Sequence, residues 1–149
     1  PKSLVRYLVD YVSSLYKGQV LETILQDVLD TPVSPELLPQ EDDKIVQKTE
    51  DIVGPYELHD FFIYHMVRFG DEPRKLYKKT KLAFKDKYDK DTIKKWLRLF
   101  YWRFFSQQFK RSCIPDGPKV GSVALSPRGD WRMPSDANVQ IWLDEVEKI

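Results

Sequence analysis

Lys110 and Arg111 stand side by side at the end of a stretch dense in aromatic residues, and Arg128, Asp130 and Arg132 alternate around Trp131. An aspartate between two arginines can hold both guanidinium groups in fixed geometry, which suits phosphate or carboxylate recognition. Two basic residues at a helix end can equally do no more than compensate the negative end of the helix dipole. All five side chains lie in FKRSCIPDGPKVGSVALSPRGDWRMPSD, Phe109 to Asp136. Prolines 115, 118, 127 and 134 reduce the entropy lost when such a segment is ordered. A stiffened loop on a basic helix end reads as a binding element, although a loop that merely wraps the domain would look similar.

Other chemistries find little support. His59 and His65 are six residues apart on one predicted helix, so they are not neighbours on a helical face. His65 on an apolar face reads as a hydrogen-bonded core histidine. No spacing of Ser, His and Asp singles out a nucleophile. No Gly-rich phosphate loop is present, so this stretch alone cannot hold a triphosphate in the usual way. The single Cys113 allows no internal disulfide, which fits a reducing compartment. Two histidines and one cysteine are too few for a typical structural zinc site, and no metal ligands are assigned.

These residues need a scaffold, and 149 residues with 42% hydrophobic and 13% aromatic content can build one domain with a real core. No apolar run approaches the length that spans a bilayer, and no signal-peptide pattern opens the sequence. The abrupt start at Pro1 points to a piece of something longer, with N-terminal processing as the alternative. Net charge is +1 but unevenly spread. Residues 1–73 carry six basic and fourteen acidic side chains, whereas residues 74–111 carry fourteen basic and three acidic ones. Such asymmetry can mark contact with a polyanion or an acidic surface, or simply two helices with solvated lysine-rich faces.

Hydrophobic periodicity predicts an all-α chain. Leu4, Leu8, Val12 and Leu15 share one stripe, ended by Lys17-Gly18. Leu21, Ile24, Leu25, Val28 and Leu29 form a second helix, stopped by Pro32 and Pro35. Residues 31–54 read as a surface loop. A helix starts near Pro55, with Leu58, Phe62, His65 and Phe69 on its apolar face and Gly70 closing it. Residues 73–87 form a basic helix with Leu76, Ala83 and Phe84 inward. Asp89 or Asp91 can cap the next helix, over about 91–112. There Ile93, Trp96, Leu97, Phe100, Phe104 and Phe105 exceed one narrow stripe, and Tyr101, Trp102 and Phe109 widen it. A helix apolar on so much of its circumference is central or shared with another chain. Ser135 can cap a last helix with Val139, Trp142, Leu143 and Val146 inward. Short extended pieces between Val120 and Leu125 are compatible with the sequence.

The stretch RFFSQQFKRSCIPDGPKVGSVALSPRGDWRMPSD closely resembles the C-terminal end of glutamine-dependent NAD synthetases, and TPVSPELLP and QKTEDIVGPYELHDFF resemble the same family in the expected order. That family adenylates the nicotinate carboxylate of deamido-NAD with ATP, releasing pyrophosphate, and ammonia then displaces AMP. The resemblance covers nearly the whole chain. It implies an irregular helical, C-terminal fragment of an α/β adenine-nucleotide-hydrolase-like synthetase domain. Residues 31–54 would be a loop near the active site and residues 113–134 a Pro/Gly-rich C-terminal arm, ordered or partly disordered.

By the same resemblance Ser34 stands at an ATP-contacting position and Lys110 at a deamido-NAD contact. Phe109 replaces a histidine of the smaller enzymes beside it. Thr49, Glu50 and Asp51 match an acidic patch over the active site. Arg111, Arg128, Asp130 and Arg132 fall near that site or its domain contacts. The implied partners are ATP, Mg, deamido-NAD, glutamine-derived ammonia and the upstream synthetase and glutaminase domains, in a cytoplasmic homo-oligomer without membrane or nucleic-acid binding. The magnesium ligands would lie upstream, and the fragment alone would be inactive. Two other readings stay open from the residues: a basic helical module that binds nucleic acid through residues 74–111, and an oligomerisation domain built on the broad face of Trp96, Phe100 and Phe104.

Overall fold

A computed structural model of the protein describes residues 1–31 and 49–149. Among these residues all regular secondary structure is helical. Its elements are α1 (Lys2–Leu15), α2 (Val20–Asp30), α3 (Thr49–Val53), α4 (Tyr56–Phe69), α5 (Pro73–Ala83), α6 (Lys90–Ser106), α7 (Gln108–Ser112) and α8 (Gln140–Glu147). Helix α6 is central, with α4, α5 and α8 packed around it. Ile93, Leu97, Phe100, Tyr101, Phe104 and Phe105 are all buried along it, so the wide apolar circumference is satisfied within the chain. They meet Leu58, Phe62 and Met66 of α4, Leu76 and Tyr77 of α5, and Leu143 and Val146 of α8. Phe100 and Phe104, expected to offer an oligomerisation face, are therefore covered, and Trp96 is half-buried.

Local signals set several boundaries. The Asp89 carboxylate accepts from the Thr92 backbone N–H (2.8 Å) and the Thr92 hydroxyl (2.7 Å), which caps α6 and holds the Asp89 pKa below the ordinary carboxylate value. Removing this cap with D89A is expected to lower the thermal midpoint by a few degrees, read by circular dichroism, while D89N retains most of it. An unchanged midpoint in D89A would show that tertiary packing alone sets where α6 begins. Gly70 ends α4 at φ +65°, a left-handed conformation that glycine adopts without a Cβ clash.

Several expectations are corrected. The Thr49–Val53 helix interrupts the loop assigned to 31–54, and the rest of that loop, with Ser34, Pro32 and Pro35, lies outside the described residues. The helix assigned to 91–112 breaks at Gln107. There the Phe104 carbonyl accepts from the Arg111 guanidinium, which folds back over the end of α6. Phe69 is 56% exposed, and Met66 takes its place on the buried face, continuing the four-residue spacing of Leu58 and Phe62. Ala83 is exposed because α5 ends there. Ser135 caps nothing: the last helix begins at Gln140, whose N–H is taken by Asn138 Oδ1 at 2.7 Å. No strand forms at 120–125 among the described residues.

The α1 stripe also turns the other way. Leu8, Val12 and Leu15 are 45%, 38% and 60% exposed, and the fully buried residue of α1 is Ser13. Ser13 sits against α2, its Oγ accepting from Gln26 Nε2 (2.9 Å) and donating to the Glu22 carbonyl (3.4 Å). The α1–α2 hairpin thus has polar contacts at its centre, with Leu4, Val9, Leu25 and Leu29 half-buried and Leu8, Val12 and Leu15 outward. Its other attachment is at the N-terminus of α1, where the free Ser3 N–H donates to Asp60 of α4 at 2.7 Å.

One acidic side chain, Asp71, is fully buried. Asp71, immediately after Gly70, forms an ion pair with Lys75 (2.8 Å), accepts from Lys79, and lies 3.1 Å from His65 Nδ1. His65 is therefore a hydrogen-bonded, largely buried histidine, as its place on α4 suggests. Two of the lysines in the basic 74–111 stretch are engaged here, and Lys87 is engaged by Glu57 (2.5 Å), so part of that charge is neutralised inside the chain.

Candidate functional site

The candidate residues fall into two groups at opposite ends of α6. At its C-terminal end, α7 carries Phe109 and Lys110. Phe109 is 53% exposed. Lys110 is exposed, and among the described residues no side chain pairs with its amine. Arg111 is committed elsewhere: besides the Phe104 carbonyl it donates to Gln108 Oε1 (2.7 Å), and its guanidinium lies 4.6 Å from the Phe104 ring centroid. Burial lowers its pKa. It acts as a cap on α6 that leaves Lys110 projecting from the helix end.

The segment after α7 folds back on itself. Its return is a tight turn in which the Ser126 carbonyl accepts from the N–H groups of Asp130 (3.0 Å) and Trp131 (2.9 Å), with Gly129 at 3.4 Å. Arg132 donates to the Pro127 and Arg128 carbonyls at 3.2 and 3.3 Å. Trp131 packs edge-on against Phe104, ring centroids 5.3 Å apart, and pins the turn to the core. The outgoing residues are tied to this turn by Arg128, which reaches the Ile114 carbonyl (2.7 Å) and Asp116 (3.0 Å), and by the Lys119–Asp130 ion pair. Asp130 therefore does not sit between two arginines as expected. In a turn, alternate residues do not share a face, so Asp130 meets Lys119 while the two arginines bind carbonyls and Asp116.

The second group is at the other end of α6. The chain there forms an open cleft of about 1240 Å³ between α1, the end of α2, the start of α4 and the α5–α6 turn. Glu50, Tyr56, Glu57, Tyr88 and Trp96 line it, with Lys2 and Arg6 across from them on α1. Lys2 reaches the Tyr56 hydroxyl at 3.1 Å and lies 4.4 Å from its ring centroid, so α1 is held as one wall. Glu57 accepts from Tyr88 Oη and pairs with Lys87. Burial pushes the Glu57 pKa up, but the Lys87 and Tyr88 hydrogen bonds outweigh it and leave the carboxyl below its ordinary value. Burial and the adjacent Glu57 raise the Tyr88 phenol. The polar groups of the cleft therefore include the carboxylates of Glu50 and Glu57, a neutral phenol and lysine and arginine cations, set among the apolar side chains of Val5, Val9, Val28 and Leu29.

Of the acidic patch, Glu50 lines this cleft, while Ser34 and the side chains of Thr49 and Asp51 lie outside the described residues. Trp96 and Phe104 are two turns apart on α6, about 12 Å, so Glu50 is separated from the Lys110 end by much of that helix. The sequence did not single out Lys2, Tyr56, Glu57 or Tyr88. They come from separate segments and carry no motif; only the fold assembles them. Among the described residues no cluster of three or more His, Cys, Asp or Glu could hold a metal ion. These residues do not fit a magnesium site. Among them no helix is long and apolar enough to cross a membrane.

The chain is similar in sequence to known NAD(+) synthetases. The relatives are glutamine-dependent NAD(+) synthetases: that of Mycobacterium leprae is 43% identical over 168 residues, and that of Mycobacterium tuberculosis is 39% identical over 167. Each alignment covers 99% of this chain but only 25% and 24% of the relative, so the chain spans about a quarter of the length of the curated relatives it matches. No protein-family model matches. The resemblance read from the three motifs thus extends over nearly the whole chain.

Proposed function

We propose that this chain is the C-terminal portion of the synthetase unit of a glutamine-dependent NAD synthetase. The single observation that supports it is the 43% identity running through 99% of the chain. The whole enzyme would be a cytoplasmic, ATP-dependent amide-forming ligase acting on deamido-NAD. Glutamine would supply the ammonia, and adenylation of the nicotinate carboxylate would precede displacement of AMP. The chain's own residues would contribute binding and shape rather than the phosphate loop, and the fragment alone would not turn over substrate.

Within that reading Lys110 is the substrate contact. Its ammonium projects from α7 without an acidic partner among the described residues, and the cap formed by Arg111 fixes the helix end that carries it. An ammonium so placed offsets phosphate or carboxylate charge. Arg128, Asp130 and Arg132 serve as the cross-links that hold the returning turn beside it, and Phe109 adds an exposed ring for apolar contact. In the full-length enzyme, K110A is expected to lower kcat/KM for deamido-NAD roughly 10- to 100-fold, the loss of one charge-assisted hydrogen bond. Glutamine hydrolysis should stay near the wild-type rate. Unchanged synthetase kinetics in K110A would remove Lys110 from the site.

A further inference from the structure

Helix α3 is five residues long, too short to be stable by itself, so its place is set by what touches it. Three contacts do this. The Glu50 carboxylate accepts from the Tyr56 N–H at 3.0 Å. The Val53 carbonyl accepts from His59 Nε2. Gly54, buried at φ +90°, lies flat against the indole of Trp96, so close that a Cβ there would be 2.6 Å from the ring. Only glycine permits both that backbone conformation and that approach. The first two contacts are local in sequence, whereas the third ties α3 to the central helix. Trp96 also lines the cleft, as does Glu50.

We propose that Trp96 is a positioning residue: by seating Gly54 it fixes α3, and with it the Glu50 carboxylate, at the rim of the cleft. This rests on the proposed synthetase function and extends it, the Glu50 cleft at the far end of α6 from Lys110 serving as a second part of the same substrate site. The seat is rigid because Trp96 belongs to the best-packed helix of the chain, with Ile93, Leu97 and Phe100 buried beside it. Its indole transmits the position of the core to a short helix that has no core of its own. The Val53 carbonyl can only accept, so His59 Nε2 carries the proton and donates to it. The tether from α4 therefore stays in place when the Trp96 seat is removed, and α3 is expected to pivot rather than unfold.

The test uses the full-length protein. W96A is expected to raise KM for the synthetase substrates roughly tenfold, the size of one weakened hydrogen bond to a charged group, with kcat changed much less. G54A should reproduce that KM increase, because its Cβ pushes the ring away, and W96F should restore most of the wild-type value. Amide exchange at Ile52–Gly54 should quicken in W96A while that of Leu97 and Tyr101 does not. A fall in kcat at constant KM, as loss of folded protein would give, overturns the positioning role. So does unchanged exchange at Ile52–Gly54. Absence of synthetase turnover in the wild-type protein would instead overturn the functional reading, and the exchange measurement would still decide whether Trp96 holds α3.

Discussion

Truncation of Phe62 to alanine is expected to lower the unfolding free energy by about 4 kcal/mol, the largest effect of any single change considered in this protein. Phe62 is completely buried on α4, and its ring meets Phe100 (centroids 5.4 Å apart) and His59 (6.0 Å). Removing it forfeits the transfer of an aromatic side chain and leaves a cavity that Leu58, Leu97 and Phe100 can close only in part, since they belong to rigid helices. F62L should recover more than half of the loss, because it refills most of the volume. Denaturant unfolding at constant slope reads both numbers. A loss below about 2 kcal/mol for F62A would mean that α4 and α6 collapse onto each other freely, contrary to a core wedged by aromatic rings.

Asp71 gives the second large effect. Burial by itself raises its pKa, but the hydrogen bonds and charges of Lys75 and Lys79 outweigh that and hold it at about 2 against an ordinary 3.8. A folded-state pKa below the unfolded one means that the carboxylate stabilises the fold fully above about pH 4. That stabilisation is lost as pH falls toward 2, and the shift corresponds to about 2 kcal/mol. D71A is expected to cost about 3 kcal/mol at neutral pH. The cost stays at the lower end for a buried pair because the lysines, 65% and 36% exposed, can turn to water. Stability measured from pH 5 to pH 2 should fall more steeply in the wild type than in D71A. Parallel curves would remove Asp71 from the acid limb.

The core was legible in the sequence because aromatic density and spacing act locally. The run from Ile93 to Phe105 leaves a helix little choice but to be surrounded, and Pro55 and Gly70 bracket α4 through backbone geometry alone. What covers an apolar stripe is a different question. The spacing of Leu8, Val12 and Leu15 shows which face of α1 is apolar, yet Ser13 is the residue that α2 buries. The arginines and aspartate around Trp131 looked like one charge set because their alternation is read as if the backbone were extended. The Ser126 turn redistributes them among Ile114, Asp116 and Lys119. The cleft was invisible for a related reason, since its walls come from chain segments with no pattern in common. Lys110 was singled out by resemblance and by its place at a helix end, and the structure leaves it exposed.

The close approach of Gly121 to Leu4 has a consequence for how the chain is made. Gly121 adopts φ +82°, and a Cβ there would lie 2.8 Å from the Leu4 side chain. That seat joins positions roughly 120 residues apart, a closure much more demanding than any helix-to-neighbour contact in the core. On the ribosome, α1 and α2 emerge on the order of ten seconds before the arm that meets Leu4. Through that interval Leu4 lacks its seat, and α1 is held by its contacts with α2 and α4. Proteins that shield apolar side chains during translation would act on Leu4 in that interval, before the returning arm reaches it.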